Sequence, residues 1–60
     1  MEVITKSTEV NGYLIEIRAQ HEVYKVFMAK YGSLIRENYY RSEKQANGCF
    51  YRFKKQANNY

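Results

Sequence analysis

Apolar and polar residues alternate along the first two thirds of the chain and then, near Ser42, give way to apolar positions at helical spacing. Tyr13, Ile15, Ile17 and Ala19 fall on one side of an extended segment, and Leu14, Glu16 and Arg18 on the other. A period of two marks a strand with one buried face. Asn11-Gly12 separates this segment from the run Val3 to Val10. Asn-Gly is the strongest short hairpin signal, because both central residues of a type I′ turn need positive φ. A two-residue loop there sets Val10 opposite Tyr13, Thr8 opposite Ile15 and Ile4 opposite Ala19, with Lys6 intruding opposite Ile17.

Gln20-His21 is read as the second tight turn. That register sets Ile17 against Tyr24, Ile15 against Val26 and Tyr13 against Met28 on the core face. On the opposite face it sets Glu16 beside Lys25 and Leu14 beside Phe27, pairs worth about 0.2 to 1 kcal/mol each. Tyr31-Gly32 marks a third turn, and Ser33 to Tyr40 reads as a fourth strand with Ile35 toward the core. Ser42-Glu43-Lys44-Gln45 then has the form of a capping box, which opens a helix. Ala46, Cys49, Phe50, Phe53 and Ala57 form its apolar stripe, at offsets of three, four, seven and eleven. The expected fold is α+β: one domain over residues 1–60, a three- to four-stranded antiparallel meander with one C-terminal helix packed on one face.

Composition narrows the function. A chain of 60 residues buries only about 60 % of the surface its unfolded form exposes, so a deep catalytic pocket is not expected. Domains this small usually lean on disulfides, metals, tight packing or a partner subunit, and the single Cys49 rules out an internal disulfide. One His and one Cys fall short of the four ligands of a structural zinc site, and they lie too far apart in sequence to suggest a nucleophile and its base. His21 is read as a solvated turn residue and Cys49 as a small buried hydrophobe. No cofactor and no enzymatic activity are expected. There is no signal-peptide pattern and no run near the roughly 18 apolar residues of a membrane span, so a cytoplasmic protein without a membrane partner is expected.

Ten Lys and Arg against six Glu give a net charge of +4, which favours an anionic partner if the excess gathers on one surface. Seven Tyr and three Phe, with no Trp and no Pro, supply rings that suit both half-buried sheets and binding surfaces. Two candidate surfaces emerge. On the helix, Lys44, Tyr51, Arg52 and Lys55 share a sector opposite the apolar stripe, as on any solvated helix face. Gly48 lies in that sector at a cost of about 1 kcal/mol relative to Ala, which suggests that a backbone or phosphate approaches there or that the helix kinks. On the open sheet face, Arg18, Lys25 and Arg36 interleave with Leu14 and Phe27, offering cations to phosphates and apolar groups to bases or to a protein.

Strands followed by a helix opened at Ser42 and packed through Phe50 and Phe53 resemble, over roughly residues 12 to 57, the sheet-plus-helix DNA-binding domains of plant AP2 factors and integrase N-terminal modules. The Trp and Arg signature of AP2 strands is missing, so no functional residue carries over. The resemblance implies a sheet face entering the major groove, with Arg18, Lys25 and Arg36 as first contacts. The leading expectation is a non-enzymatic module that binds nucleic acid through the open sheet face, the basic helix face or both. The alternative is a protein-interaction module or small inhibitor of the kind carried by phages and mobile elements, with Leu14 and Phe27 as anchors. A homodimer with sheet faces covering each other is a further form of it.

Overall fold

Three two-residue turns divide the first forty residues into four strands of equal length. In the computed structural model, which describes residues 1–59, these are β1 (Val3–Val10), β2 (Tyr13–Gln20), β3 (Val23–Lys30) and β4 (Ser33–Tyr40), followed by α1 (Glu43–Asn58). The strands form one antiparallel sheet in the order β1-β2-β3-β4, the meander expected from the alternating pattern. At each turn both central residues take positive φ: Asn11 and Gly12, His21 and Glu22, Tyr31 and Gly32. This is the pattern of primed turns, whose twist matches that of the flanking strands.

The middle turn is His21-Glu22, not Gln20-His21, and the β2–β3 register moves by two residues. Ile17 faces Val26, Ile15 faces Met28 and Tyr13 faces Lys30. On the outer side Arg18, not Glu16, lies beside Lys25, Glu16 lies opposite Phe27, and Leu14 lies opposite Ala29. A shift of two keeps every side chain on its expected face, because the strand period is two. His21 and Glu22 reach φ of 52° and 63° without glycine, a conformation that costs about 1–2 kcal/mol per residue. The gain is a fully paired Gln20–Val23 closure and eight-residue strands on both sides.

The two edge strands each carry an irregularity. In β1 the register slips between Ile4 and Lys6, so Ile4 pairs with Arg18 rather than Ala19, while Lys6–Ile17, Thr8–Ile15 and Val10–Tyr13 pair as expected. In β4 it slips at Ile35, between Leu34 opposite Ala29 and Arg36 opposite Met28. Ile35 is the extra residue and is 48 % exposed, so it does not join the core. Bulges at sheet edges twist the strand and blunt its pairing with other chains.

The helix covers one face. Its stripe of Ala46, Cys49, Phe50, Phe53 and Ala57 is buried against Ile15, Ile17, Val26 and Met28, with Val10, Tyr13, Tyr24 and Tyr40 around the rim. Ser42 caps the helix, its hydroxyl accepting from the Gln45 backbone N–H at 3.4 Å. Glu43 in the first turn and Lys55 in the last complement the helix dipole. At the far end Asn11 Nδ2 donates to the Ala57 carbonyl at 2.9 Å, tying the first turn to the last turn of the helix. Lys6 points to the helix side without loss, because its ammonium lies over the rings of Phe50 and Tyr51 at 5.7 and 5.0 Å. Near the β4–α1 junction, a hydrogen bond with the Cys49 thiol and then burial push the Tyr40 phenol up from its ordinary pKa.

Candidate nucleic-acid interface

Opposite residues on neighbouring strands share a face, so the register sets out three full rows of side chains on the uncovered surface, with Gln20 and Val23 beyond them. One row runs Glu9, Leu14, Ala29, Leu34; the next runs Ser7, Glu16, Phe27, Glu37; the third runs Ile4, Arg18, Lys25, Tyr39. Leu14 and Phe27 are thus not direct neighbours, and both are half-buried. Arg18 and Lys25 lie over the Phe27 ring at 5.3 and 5.7 Å. Glu16, 7 % exposed, accepts from the Ser7 hydroxyl at 3.0 Å and from Arg18 Nε at 3.0 Å and Nη2 at 2.9 Å. Glu2 closes the network, 3.2 Å from Arg18 and 3.6 Å from Lys25. Hydrogen bonds first to Glu16 and then to Glu2 hold the Arg18 pKa up, and the bond to Arg18 holds the Glu2 carboxyl below its ordinary range.

Both sheet-face cations are therefore engaged by carboxylates, and Glu9 and Glu37 add further negative charge to the same surface. Phosphates approaching it meet four carboxylates and two paired cations. Arg36, expected on this face, is on the other one: the bulge at Ile35 turns it to the side of Met28 and the helix.

The helix side has the opposite character. Lys6, Lys30, Arg36, Lys44, Arg52, Lys54 and Lys55 belong to it, and among the described residues of the strands and helix Glu43 is the one carboxylate there. Lys44, Tyr51, Arg52 and Lys55 are exposed as expected. Arg52 Nη2 donates to the Tyr40 hydroxyl at 3.3 Å. Lys54, at the edge of the expected sector, brings its ammonium to 5.4 Å from the Tyr51 ring. Lys30 lies over Tyr13 at 4.4 Å and Tyr31 at 5.4 Å. Sequence reasoning left Lys30 and Lys54 out and met Lys6 only as an intrusion on the core face opposite Ile17. Lys54 carried a legible signal, standing three positions after Tyr51 and therefore on an adjoining strip of the helix. The place of Lys6 depended on how the edge strand meets the helix.

Gly48 lies in this cationic sector, and a Cβ built on it meets nothing nearer than Arg52 Nη1 at 3.7 Å, an ordinary contact. Nothing in the fold requires the glycine. Gly48→Ala is expected to stabilise the protein by about 1 kcal/mol, read as a rise of roughly 4–8 °C in thermal midpoint. An unchanged or lower midpoint in a thermal melt would contradict this account of the helix.

Among the described residues no group of three or more His, Cys, Asp or Glu is placed to hold a metal ion, and no helix is long and apolar enough to cross a membrane. No family model, curated protein or solved structure matches the chain. The functional reading accordingly stands on its own surfaces.

Proposed function

We propose that this protein is a non-enzymatic nucleic-acid-binding module that uses its helix side, with the cytoplasm as its place of action. The observation that supports this most is the separation of charge. Seven of the ten Lys and Arg side chains flank or lie on the helix, whereas the open sheet face carries more carboxylates than cations. A surface dense in cations that pair with no carboxylate among the described residues attracts a polyanion and releases its counterions, which supplies sequence-independent affinity. The sheet-face route suggested by the sequence loses weight, because Arg18 and Lys25 are neutralised within the molecule by Glu2 and Glu16.

A second reading has its own support. Ile4, Leu34 and Tyr39 on the sheet face are 52 %, 56 % and 61 % exposed, which favours a protein surface there, on a partner or on a second copy.

Fluorescence anisotropy with labelled oligonucleotides at several salt concentrations tests the main reading. Log affinity is expected to fall linearly with log salt, with a slope of about −0.7 to −0.9 per phosphate engaged. Absence of binding at low ionic strength, or affinity indifferent to salt, would overturn it.

A further inference from the structure

We propose that the groove between β1 and α1 holds a single-stranded nucleic acid, with one base stacked on the ring of Tyr51. The inference rests on the nucleic-acid reading above and names the class of strand.

Two depressions meet at Tyr51. One, of about 330 Å³, is lined by Lys6, Ser7, Thr8, Phe50, Tyr51 and Lys54. The other, of about 280 Å³, is lined by Val10, Tyr51, Lys54, Lys55 and Asn58. Sharing Tyr51 and Lys54, they make a track along the edge strand toward the end of the helix. An aromatic ring stands midway along it and ammonium groups lie on both stretches. This combination of a cationic groove and a stacking ring is what binds single strands with little regard to sequence.

The ring is prepared for that use. Tyr51 is 57 % exposed, and Phe50 meets it edge-on at 5.9 Å and 82°, a favourable arrangement of two rings. Lys6 and Lys54 lie 5.0 and 5.4 Å from its centroid. At an exposed site such contacts are weak, so the flexible ammoniums can swing to phosphates flanking a base that takes the ring. The polar side chains of Thr8 and Asn58 supply hydrogen-bonding groups along the same track. Within a duplex the bases are stacked on one another and present no free face to Tyr51, which leaves only the end pairs. DNA and RNA single strands share the chemistry and both are expected to enter.

The test uses the full chain with labelled 12-nucleotide dT and U strands and a 12-base-pair duplex, at equal salt. At least one single strand is expected to bind roughly tenfold or more tightly than the duplex. Tyr51→Ala should weaken single-strand binding by roughly ten- to a hundredfold and leave the duplex nearly unchanged. Tyr51→Phe should retain affinity, and Tyr51→Leu, which keeps apolar bulk over Phe50, should behave as Ala does. Thermal melts confirm that each variant is folded. Preference for duplex, or single-strand affinity unaffected in both Tyr51→Ala and Tyr51→Leu, would overturn the proposal while leaving nucleic-acid binding intact. Failure of all three probes to bind at low salt would remove the nucleic-acid reading itself.

Discussion

Phe53→Ala is expected to remove about half or more of the protein's folding free energy. Phe53 is 4 % exposed and lies in the single cluster formed by the helix stripe and the inward residues of β2 and β3. Removing a buried Phe side chain costs about 3–5 kcal/mol, since lost transfer free energy and the cavity left behind add. A domain of 60 residues has a total stability of about 3–9 kcal/mol by per-residue scaling. Neither a disulfide nor, among the described residues, a metal site supplements it. The helix and sheet cannot separate and survive, because each would expose the surface that the other covers. Urea unfolding followed by circular dichroism should show the midpoint lowered to about half of the parent's or less. Leu34→Ala, at a side chain 56 % exposed on the outer face, should change stability by no more than about 0.5 kcal/mol. If Phe53→Ala retained a midpoint close to that of the parent, the helix–sheet core would not be the source of stability.

Neutralising the helix side is expected to abolish most nucleic-acid affinity, whereas the same change on the sheet face is not. The variant Arg52→Gln, Lys54→Gln, Lys55→Gln removes three helix cations, Arg52 beside the Tyr40 hydroxyl and Lys54 and Lys55 in the groove beside Tyr51. If each engages one phosphate, the slope of log affinity against log salt becomes less steep by about 2 to 3, and affinity at about 50 mM salt falls on the order of a hundredfold. Lys25→Gln, whose ammonium lies 3.6 Å from Glu2, should leave the slope unchanged. Arg18→Gln is expected to lower stability instead, because Glu16 is 7 % exposed and loses its principal partner. Anisotropy titrations across a salt series, paired with thermal melts, separate the two effects. A loss of salt dependence on changing Lys25, with none on changing the helix cations, would return the interface to the sheet.

The ten-residue spacing of the turns explains which parts of the fold were legible. Asn11-Gly12 and Tyr31-Gly32 announce themselves through glycine, and the midpoint between them falls at His21-Glu22. That middle turn has no glycine, so local chemistry pointed one residue early, and its position followed only from matching strand lengths across the sheet. Because the resulting shift was of two residues, the faces survived and only the pairings changed. The edge bulges left no comparable mark. Nothing around Thr5 or Ile35 in the sequence distinguishes a continuous strand from one that gains a residue, and the bulge in β4 is what carries Arg36 to the helix side.

By itself, the sequence determined the four strands and the helix, the stripe from Ala46 to Ala57, the inward set of Ile15, Ile17, Val26 and Met28, and the exposure of Lys44, Tyr51, Arg52 and Lys55. These follow from periods of two and 3.6 and from capping and turn chemistry, all of which act between residues close in the chain. Only the tertiary structure decided that Arg18 and Lys25 are neutralised by Glu2 and Glu16, that Lys6 and Lys54 gather at Tyr51, and that the positive charge collects on the covered side of the sheet. Electrostatic character depends on distances of a few ångströms between groups on different elements, and register, edge bulges and the placement of the helix set those distances.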